Sequence, residues 1–533
     1  MVSDFFYPNI GGVESHVYNN SQCLILRGHK VVVVTHAYGK RNGVRYLAGG
    51  LKVYYVPAPL IFGQASLPTF FCTFAIFRNI FIRERIEIVH GHQAFSTFCH
   101  EAILHARAMG LKTVFTDHSL LGFADASGIL MNKLLKFTLS DVGHVICVSH
   151  TSKENTVLRA ALDPRFVSAI PNAIVPEYFE PIPLNLFLTQ ERKKWITIVV
   201  LSRLVYRKGM DLLTVAIPRI CQMHKNVRFI IGGEGPKRVD LEQMREKFTL
   251  QDRVILIGEV LASEVRSILI KGDIFLNTSL TEAFCISIVE AASCGLLVVS
   301  TKVGGIPEVL PEHMLTFAKP DENDIVEAIS KTIFVAVKRK SQIESFLSNQ
   351  PSTDPVKNDQ TVNNHSENST TLSSNTTLYQ NNNISTTPKK QPSSINFNSK
   401  LNSFTSQIDF ISPQSFHNQV KSMYSWHNIA YRTEIVYQKV INLPEPPLIE
   451  RLRLYYGCGR VAGKLFCMVA VVDYLLMILF ETIWPSSKIE IAPDFPTQSY
   501  KKVVFFLPFL LFSIFLINLL TQYSFPYARF YFR

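Results

Sequence analysis

The sequence predicts an α/β protein: two doubly wound, Rossmann-like domains followed by a transmembrane helix near the C-terminus. Three observations carry this. Between residues 1 and 340, short β-branched apolar runs alternate with amphipathic helical stretches, the pattern of parallel strands covered by helices on both faces. Pro171, Pro176, Pro181 and Pro183 crowd together and interrupt that alternation once, which marks a linker. The uncharged apolar run 503–520 is long enough, at about 1.5 Å per residue, to cover most of a roughly 30 Å hydrocarbon core.

The elements follow in order. Near-continuous apolar runs predict buried strands at 31–35, 86–90, 113–116, 145–148, 197–201, 227–232, 254–257, 274–277 and 297–300. A helix is expected over 13–27, ended by Gly28. These runs divide into an N-terminal domain over 1–175 and a C-terminal domain over 176–340. From 341 to 413 the chain turns to Ser, Thr, Asn and Gln and cannot bury enough surface to offset its ordering entropy, so a disordered insert is expected. Its sequons at Asn364, Asn368, Asn375 and Asn383 are the chance product of that composition. Over 414–445, Trp426, Ile429, Ile435, Val436 and Val440 give a helical stripe. Within 446–500, the apolar stretch 465–480 carries Asp473 at its middle. A mid-membrane carboxylate is costly, so this stretch reads as interfacial, re-entrant or packed on a partner. The span is placed at 501–523, with Lys501 and Lys502 before it, Tyr523 and Tyr527 as interface anchors, and a short tail over 524–533.

Composition narrows the function. The 533 residues are 47% hydrophobic, which excludes a fibrous or wholly disordered chain. Mean hydropathy is +0.15, in keeping with buried strands and a span. The net charge of +12 suits phosphates or an anionic membrane surface. Nucleic acid is a poor partner, because the basic residues are dispersed and no nucleic-acid motif appears. The nine cysteines form no C-x-x-C pair or zinc spacing. An acid and a proline stand where a secretory signal needs apolar residues, so a reducing, cytosolic setting is expected.

Three segments carry chemistry. Gly11 and Gly12 precede a helix start, where bare amides can approach a phosphate or sugar; any tight βα turn reads the same way. Ser202-Arg203 through Lys208-Gly209 follows a strand at its carboxyl end, where ligands bind in open α/β sheets. Arg203 and Lys208 together suit a diphosphate, against the alternative of a solvated basic loop. Glu282 and Glu290, eight positions apart after the strand 274–277, can each accept hydrogen bonds from sugar hydroxyls if a helix opens between them; by spacing alone such a pair is surface helix.

Together these residues resemble the retaining glycosyltransferases of the GT-B fold, family 4, with its Gly-Gly loop, S-R-x4-K-G element and E-x7-E motif. The resemblance covers 1–340 and resumes at Ser425-Trp426, where family members cross back to the first domain. Val2-Ser3-Asp4-Phe5-Phe6-Tyr7-Pro8, Val89-His90-Gly91-His92, Thr116-Asp117-His118-Ser119 and Ile170-Pro171-Asn172-Ala173-Ile174 are similar, more narrowly, to the members that open glycosylphosphatidylinositol (GPI) anchor synthesis. The resemblance implies two domains facing a cleft. It also implies transfer of N-acetylglucosamine from UDP-GlcNAc to phosphatidylinositol, by front-face substitution with retention, without cofactor or metal. Arg203 and Lys208 would then neutralise the diphosphate and Glu282 would hold the GlcNAc hydroxyls. Glu290 would hold the ribose, Gly12 would admit the phosphate or acceptor, and His118 would sit at the reaction centre. Endoplasmic-reticulum location, cytosolic catalytic domains and a multi-subunit complex are implied in the same way. Gly233-Glu234-Gly235-Pro236 is a further family-like loop. The chain starts almost on the Gly-Gly motif, so a truncated start or a weakened first-sheet edge is expected. Two other readings remain: a family 4 enzyme with another nucleotide sugar, such as GDP-mannose, and a non-catalytic membrane scaffold. The phenylalanine-rich stretch 67–82, with its basic end, reads either as a lipid-docking helix or as core.

Overall fold

The structure is a computed structural model that describes residues 1–120, 122, 126–187, 189–348 and 412–493. The expected span over 501–523, and the insert beyond Ser348 up to Ile411, lie outside the described residues. Residues Lys338–Ile411 form a unit separate from Met1–Val337 and Ser412–Arg533.

The N-terminal lobe opens with α1 (Gly12–Leu26), then β1 (Val32–His36), β2 (Gly43–Tyr46), β3 (Lys52–Val56) and a small hairpin of β4 (Leu60–Phe62) and β5 (Ala65–Ser66). It continues with α2 (Phe74–Arg83), β6 (Ile88–His92), α3 (Thr97–Ala108), β7 (Lys112–Asp117), α4 (Ala126–Leu139), β8 (His144–Cys147), α5 (His150–Ala160) and β9 (Val167–Ala169). The order β6-β7-β8-β9 is parallel, as is the pair β1-β3, with β2 antiparallel at the outer edge. Val2 joins the two halves, bridging to Val34 on one side and Gly91 on the other. Its amide donates to His90 and its carbonyl accepts from His92. The short first strand therefore lies at the centre of the sheet, between β1 and β6, and the expected weakening of an edge is corrected. Asp4 fixes it there: its buried carboxylate accepts from Ser96 Oγ at 2.8 Å, Phe98 N at 3.0 Å and Ser66 Oγ at 2.6 Å.

The phenylalanine-rich stretch resolves as core. Helix α2 starts at Phe74 and buries Phe74, Phe77 and Phe81, each worth about 1.5–3 kcal/mol relative to water. Phe77 and Phe81 pack with Val2, Val34, Val89 and Phe98 under the sheet.

The C-terminal lobe carries two short helices, α6 (Leu184–Phe187) and α7 (Gln190–Lys194), then β10 (Ile196–Leu201), α8 (Met210–Met223), β11 (Val227–Gly232), α9 (Arg238–Lys247), β12 (Val254–Gly258), α10 (Val265–Leu269), β13 (Ile274–Asn277), α11 (Ile286–Ser293), β14 (Leu297–Thr301), β15 (Leu315–Ala318) and α12 (Glu322–Ser348). Its parallel sheet runs β12-β11-β10-β13-β14-β15. The order reverses at β10 and β13, the switch point where the loops after two central strands diverge and leave a crevice. Helix α12 runs to Ser348, past the point where the polar insert was expected to begin.

Among the described residues, four α-helices follow: α13 (Pro413–Met423), α14 (Trp426–Ile441), α15 (Leu448–Tyr456) and α16 (Ala462–Ile483). Helix α13 packs on α11, with Ser293 Oγ and His417 Nδ1 3.1 Å apart. Helix α14 packs on α1 and β7 of the other lobe, pairing Glu434 with Arg27 and His29. The break between them, at Tyr424 and Ser425, is where the chain passes from one lobe to the other. Helix α16 is long and apolar enough to cross a membrane, yet its Asp473 is fully buried against His105 of α3.

Candidate active site

Two helix N-termini meet across the lobes. Helix α1 starts at Gly12 and α11 at Ile286, and neither has a side-chain cap. A methyl group built on Gly12 would lie 3.3 Å from Ile286 Cδ1, so the two first turns are in near contact. Uncapped first-turn amides carry partial positive charge and attract phosphate oxygens. Cys285 precedes α11 with φ of 69°, which turns the chain sharply from the Glu282 loop into the helix.

The C-terminal wall is built by the loops after β10 and β13. Lys208 ends a single 3-10 turn, Tyr206–Lys208, and Gly209 stands just before α8. Gly209 has φ of 70°, and a Cβ there would stand 1.8 Å from Thr278 O. The close approach clamps the Lys208 turn to the strand end that leads to Glu282. Thr278 Oγ1 donates to Lys208 O at 3.0 Å, and Leu280 N to Arg207 O at 2.9 Å. Lys208 consequently forms an ion pair with Glu282, whose carboxylate also accepts from Ser279 Oγ at 2.9 Å. Both side chains keep a partial opening, 18% and 14% exposed. Beneath them, Gly304 has φ of 52° and would collide with Glu282 O if it bore a side chain.

Arg203 is exposed at the mouth of the same wall, and its charge reaches Glu14 on α1. Burial raises the Glu14 carboxyl, with hydrogen bonds from its own backbone and Asn9 and the Arg203 charge acting against it. Glu290 lies on α11 and no hydrogen bond to its carboxylate is made among the described residues; burial pushes it up to about 7. The Gly233-Glu234-Gly235 loop packs under the Arg203 segment, with Leu204 N donating to Glu234 O at 2.8 Å.

The N-terminal wall is a cluster of imidazoles. His118 follows β7, His92 ends β6 and His16 lies on α1. His92 Nδ1 and His118 Nε2 are 3.3 Å apart, and the His16 and His118 ring centroids 4.7 Å apart. His16 Nδ1 donates to Asn172 Oδ1 at 2.8 Å, and its ring meets Trp426 edge-on at 5.4 Å. Burial lowers His16 to about 4 and holds His90, His92 and His118 well below the ordinary value, with their mutual repulsion adding to it. These rings are therefore neutral near pH 7 and can accept a hydrogen bond. The ligating nitrogens of His16, His92 and His118 lie within 4.8 Å of one another, a set able to hold a metal ion.

Asp117 sets the His118 loop. It accepts from Ser119 N at 2.9 Å and Thr156 Oγ1 at 2.9 Å and pairs with Arg159 at 2.5 Å, with both charged side chains fully buried. Across the lobes, Glu308 accepts from Thr151 N at 2.8 Å and from His150 N, the first amides of α5.

Glu282 and Lys208 thus share one wall, Glu290 lies on the helix that follows, Gly12 meets the start of that helix, and His118 stands among the histidines of the other lobe. Sequence reasoning passed over His16, His92, Asn172, Glu14 and the Gly304 loop. His92 and Asn172 did stand inside the quoted motifs, and His16 lies four positions after Gly12.

Residues 36–125 match the family described as PIGA (GPI anchor biosynthesis), and residues 196–333 the glycosyl transferases group 1. The chain is similar to sucrose-phosphate synthase of Thermosynechococcus elongatus, with a TM-score of 0.54 at 16% identity over 80% of this chain and 93% of that one. It is similar also to the catalytic domain of starch synthase IV from Arabidopsis thaliana, with a TM-score of 0.51 at 16% identity over 65% and 93%. These similarities show the fold, GT-B. The phosphatidylinositol N-acetylglucosaminyltransferase gpi3 subunit of Schizosaccharomyces pombe is 51% identical over 94% of this chain and 93% of its own length. The corresponding subunit of the same enzyme from Arabidopsis thaliana is 49% identical over 93% of each chain, and the human one 48% over 93% of this chain and 87% of its own. With about half its residues shared over nearly its whole length, the chain belongs to the family of the phosphatidylinositol N-acetylglucosaminyltransferase gpi3 subunit.

Proposed function

We propose that the chain transfers N-acetylglucosamine from UDP-GlcNAc to phosphatidylinositol, the first step of GPI-anchor synthesis, with retention at the sugar. The observation that carries this is the Lys208–Glu282 pair beside the uncapped N-terminus of α11. It sets a cation for the diphosphate and a carboxylate for sugar hydroxyls in one small volume. Arg203 approaches from the mouth and Glu290 takes the ribose. The phosphate charge that grows as the glycosidic bond breaks is met by fixed groups, Lys208 and the helix amides, with no solvent to reorganise. The inositol hydroxyl enters from the N-terminal wall, where neutral His118 accepts a hydrogen bond from it and aligns it. The departing phosphate, on the same face of the sugar, takes the hydroxyl proton.

The names of the relatives as subunits support work within a multi-subunit complex. Nucleotide sugar supply supports cytosolic catalytic lobes, and the family supports an endoplasmic-reticulum membrane.

The test is transfer of labelled GlcNAc in microsomes, with UDP-GlcNAc and GDP-mannose compared as donors. Lys208→Ala should lower transfer by about 100-fold or more while the amount of chain in the membrane stays unchanged. Near-normal transfer by that variant rules out the assignment of Lys208, and preference for GDP-mannose rules out the donor.

A further inference from the structure

We propose that His16, His92 and His118 form an inhibitory site for a divalent transition-metal ion of the Zn2+ class, which on binding shuts out the acceptor. The binding stands on the geometry of the rings; the inhibition rests on the reading that His118 faces the acceptor. One nitrogen from each ring lies within 4.8 Å of the other two. His92 Nδ1 and His118 Nε2 face each other at 3.3 Å, with ring centroids 5.6 Å apart. That is long for an N–H hydrogen bond, whose usual length is about 2.9–3.0 Å. It matches the edge of a tetrahedron: two nitrogens each roughly 2.0–2.1 Å from a Zn2+ ion stand about 3.3 Å apart. Holding an ion therefore asks the rings to turn, while the backbone of α1, β6 and the end of β7 keeps its place.

The surroundings prepare these rings as ligands. The buried Asn172 accepts the proton of His16 Nδ1 at 2.8 Å, which leaves the lone pair on Nε2. Histidines that hold metals carry this outer hydrogen bond, and it fixes both tautomer and ring angle. His92 is fully buried, and its Nε2 has no hydrogen-bond partner among the described residues. No acceptor ties its proton to that nitrogen, so Nδ1 can turn a lone pair to an ion without breaking a bond on the far side. His90 stacks on His92 at 4.1 Å yet is no ligand, because Tyr437 Oη and Thr116 Oγ1 engage its two nitrogens, each at 2.7 Å.

The donor set chooses the ion. The cluster offers three imidazoles, and no carboxylate or thiolate joins it among the described residues. Imidazole suits Zn2+, Co2+ and Ni2+, whereas Mg2+ and Ca2+ take oxygen ligands. His16 and His92 are buried and His118 is half-buried, so the fourth coordination position, left to water, opens on the His118 side. An ion there occupies the His118 lone pair that would meet the inositol hydroxyl, and sets a positive charge in that hydroxyl's path. Lys208 and Glu282 belong to the other lobe and stay free for the donor. Occupancy therefore blocks the acceptor and spares the nucleotide sugar.

Binding is tested without substrates, on the full chain in detergent with Co2+ as the probe. Tetrahedral Co2+ on nitrogen ligands absorbs in the visible, and Co2+ on cysteine adds a sulfur charge-transfer band in the near ultraviolet, so the two are told apart. A nitrogen-type site that Zn2+ displaces is expected, and His16→Gln and His92→Gln should each abolish it. Asn172→Ala keeps all three ligands and should weaken it by about 10–100-fold, which tests the site should a buried histidine variant fail to fold. Bands unchanged in His16→Gln and Asn172→Ala overturn the proposal. Inhibition is read in detergent-solubilised microsomes. Zn2+ should raise the KM for phosphatidylinositol, leave that for UDP-GlcNAc unchanged and be reversed by EDTA. His16→Gln should need about tenfold more Zn2+ or beyond for the same fractional loss of its own activity. Competition with UDP-GlcNAc, or transfer that stops with EDTA and returns with Zn2+, overturns the proposal. Absence of transfer by the unaltered, metal-free chain would overturn the functional reading alone, and the Co2+ spectra would still decide the site.

Discussion

Glu290 is held by burial at about 7, beside a helix N-terminus and with no hydrogen bond of its own among the described residues. Bringing ribose hydroxyls to it favours the ionised form and lowers its pKa in the complex. Binding then releases a proton wherever the pH lies between the bound and free values. Affinity for UDP should therefore strengthen as pH rises, by about fivefold from pH 6 to 7, and level off above 8. Glu290→Gln should flatten that slope, as read by calorimetry on the full chain. A slope that survives in the variant assigns the proton to another group. The proposed donor residues Arg203, Lys208, Glu282 and Glu290 stood out in the sequence because each pair lies within one loop or one helix start. His16, His92 and Asn172 did not, because α1, β6 and the 170–174 segment converge only through the sheet and through α14. Asp117 shows the opposite case. Its place beside His118 in the sequence suggests chemistry, yet its carboxylate is consumed by Arg159, Thr156 and Ser119. Asp117→Ala leaves Arg159 buried without its charge partner and should cost about 3–5 kcal/mol of stability, measured by thermal unfolding in detergent.

Among elements, the Lys208 turn depends on a single backbone contact. Gly209→Ala adds a Cβ at positive φ and against Thr278 O, so both strain and collision oppose it. It should destabilise the chain by about 1–3 kcal/mol and lower transfer beyond that, because Lys208 moves away from Glu282. If transfer stays normal in a stably folded G209A chain, the clamp is not what positions Lys208. The strands read from apolar runs appear within a residue or two of the expected places, since burial on both faces leaves an unbroken apolar signature. Strand β2 was missed for the same reason inverted: every residue of it is exposed at an antiparallel edge. The 67–82 stretch had two readings because an apolar run states that a surface is hidden, and only its neighbours state by what. Helix α2 is hidden by its own sheet and, at Phe74, by α16, while Ile76 stays exposed.

For the whole molecule, the joint between the last helices and the N-terminal lobe includes the buried contact of Asp473 with His105. Asp473→Ala should destabilise the chain by about 1–3 kcal/mol, because a buried polar partner is left unpaired. Asp473→Asn, which keeps an acceptor for His105, should lose less; equal losses would show that charge matters more than the hydrogen bond. Melting temperatures of the two variants in the same detergent decide it. The 414–445 stripe was legible as a helix, and Trp426, Ile429, Val436 and Val440 are buried. That the helix lies on α1, and brings Trp426 to His16, was not. Hydrophobic period and turn chemistry act over a few neighbouring residues, so the α/β alternation, the loops proposed to bear the donor residues and the apolar C-terminal segments were legible from the residues alone. The tertiary structure alone decided which helix ends face each other, which histidines gather, and where Asp473 finds a partner. Those contacts join residues hundreds of positions apart, and no local pattern encodes the path of the chain between them.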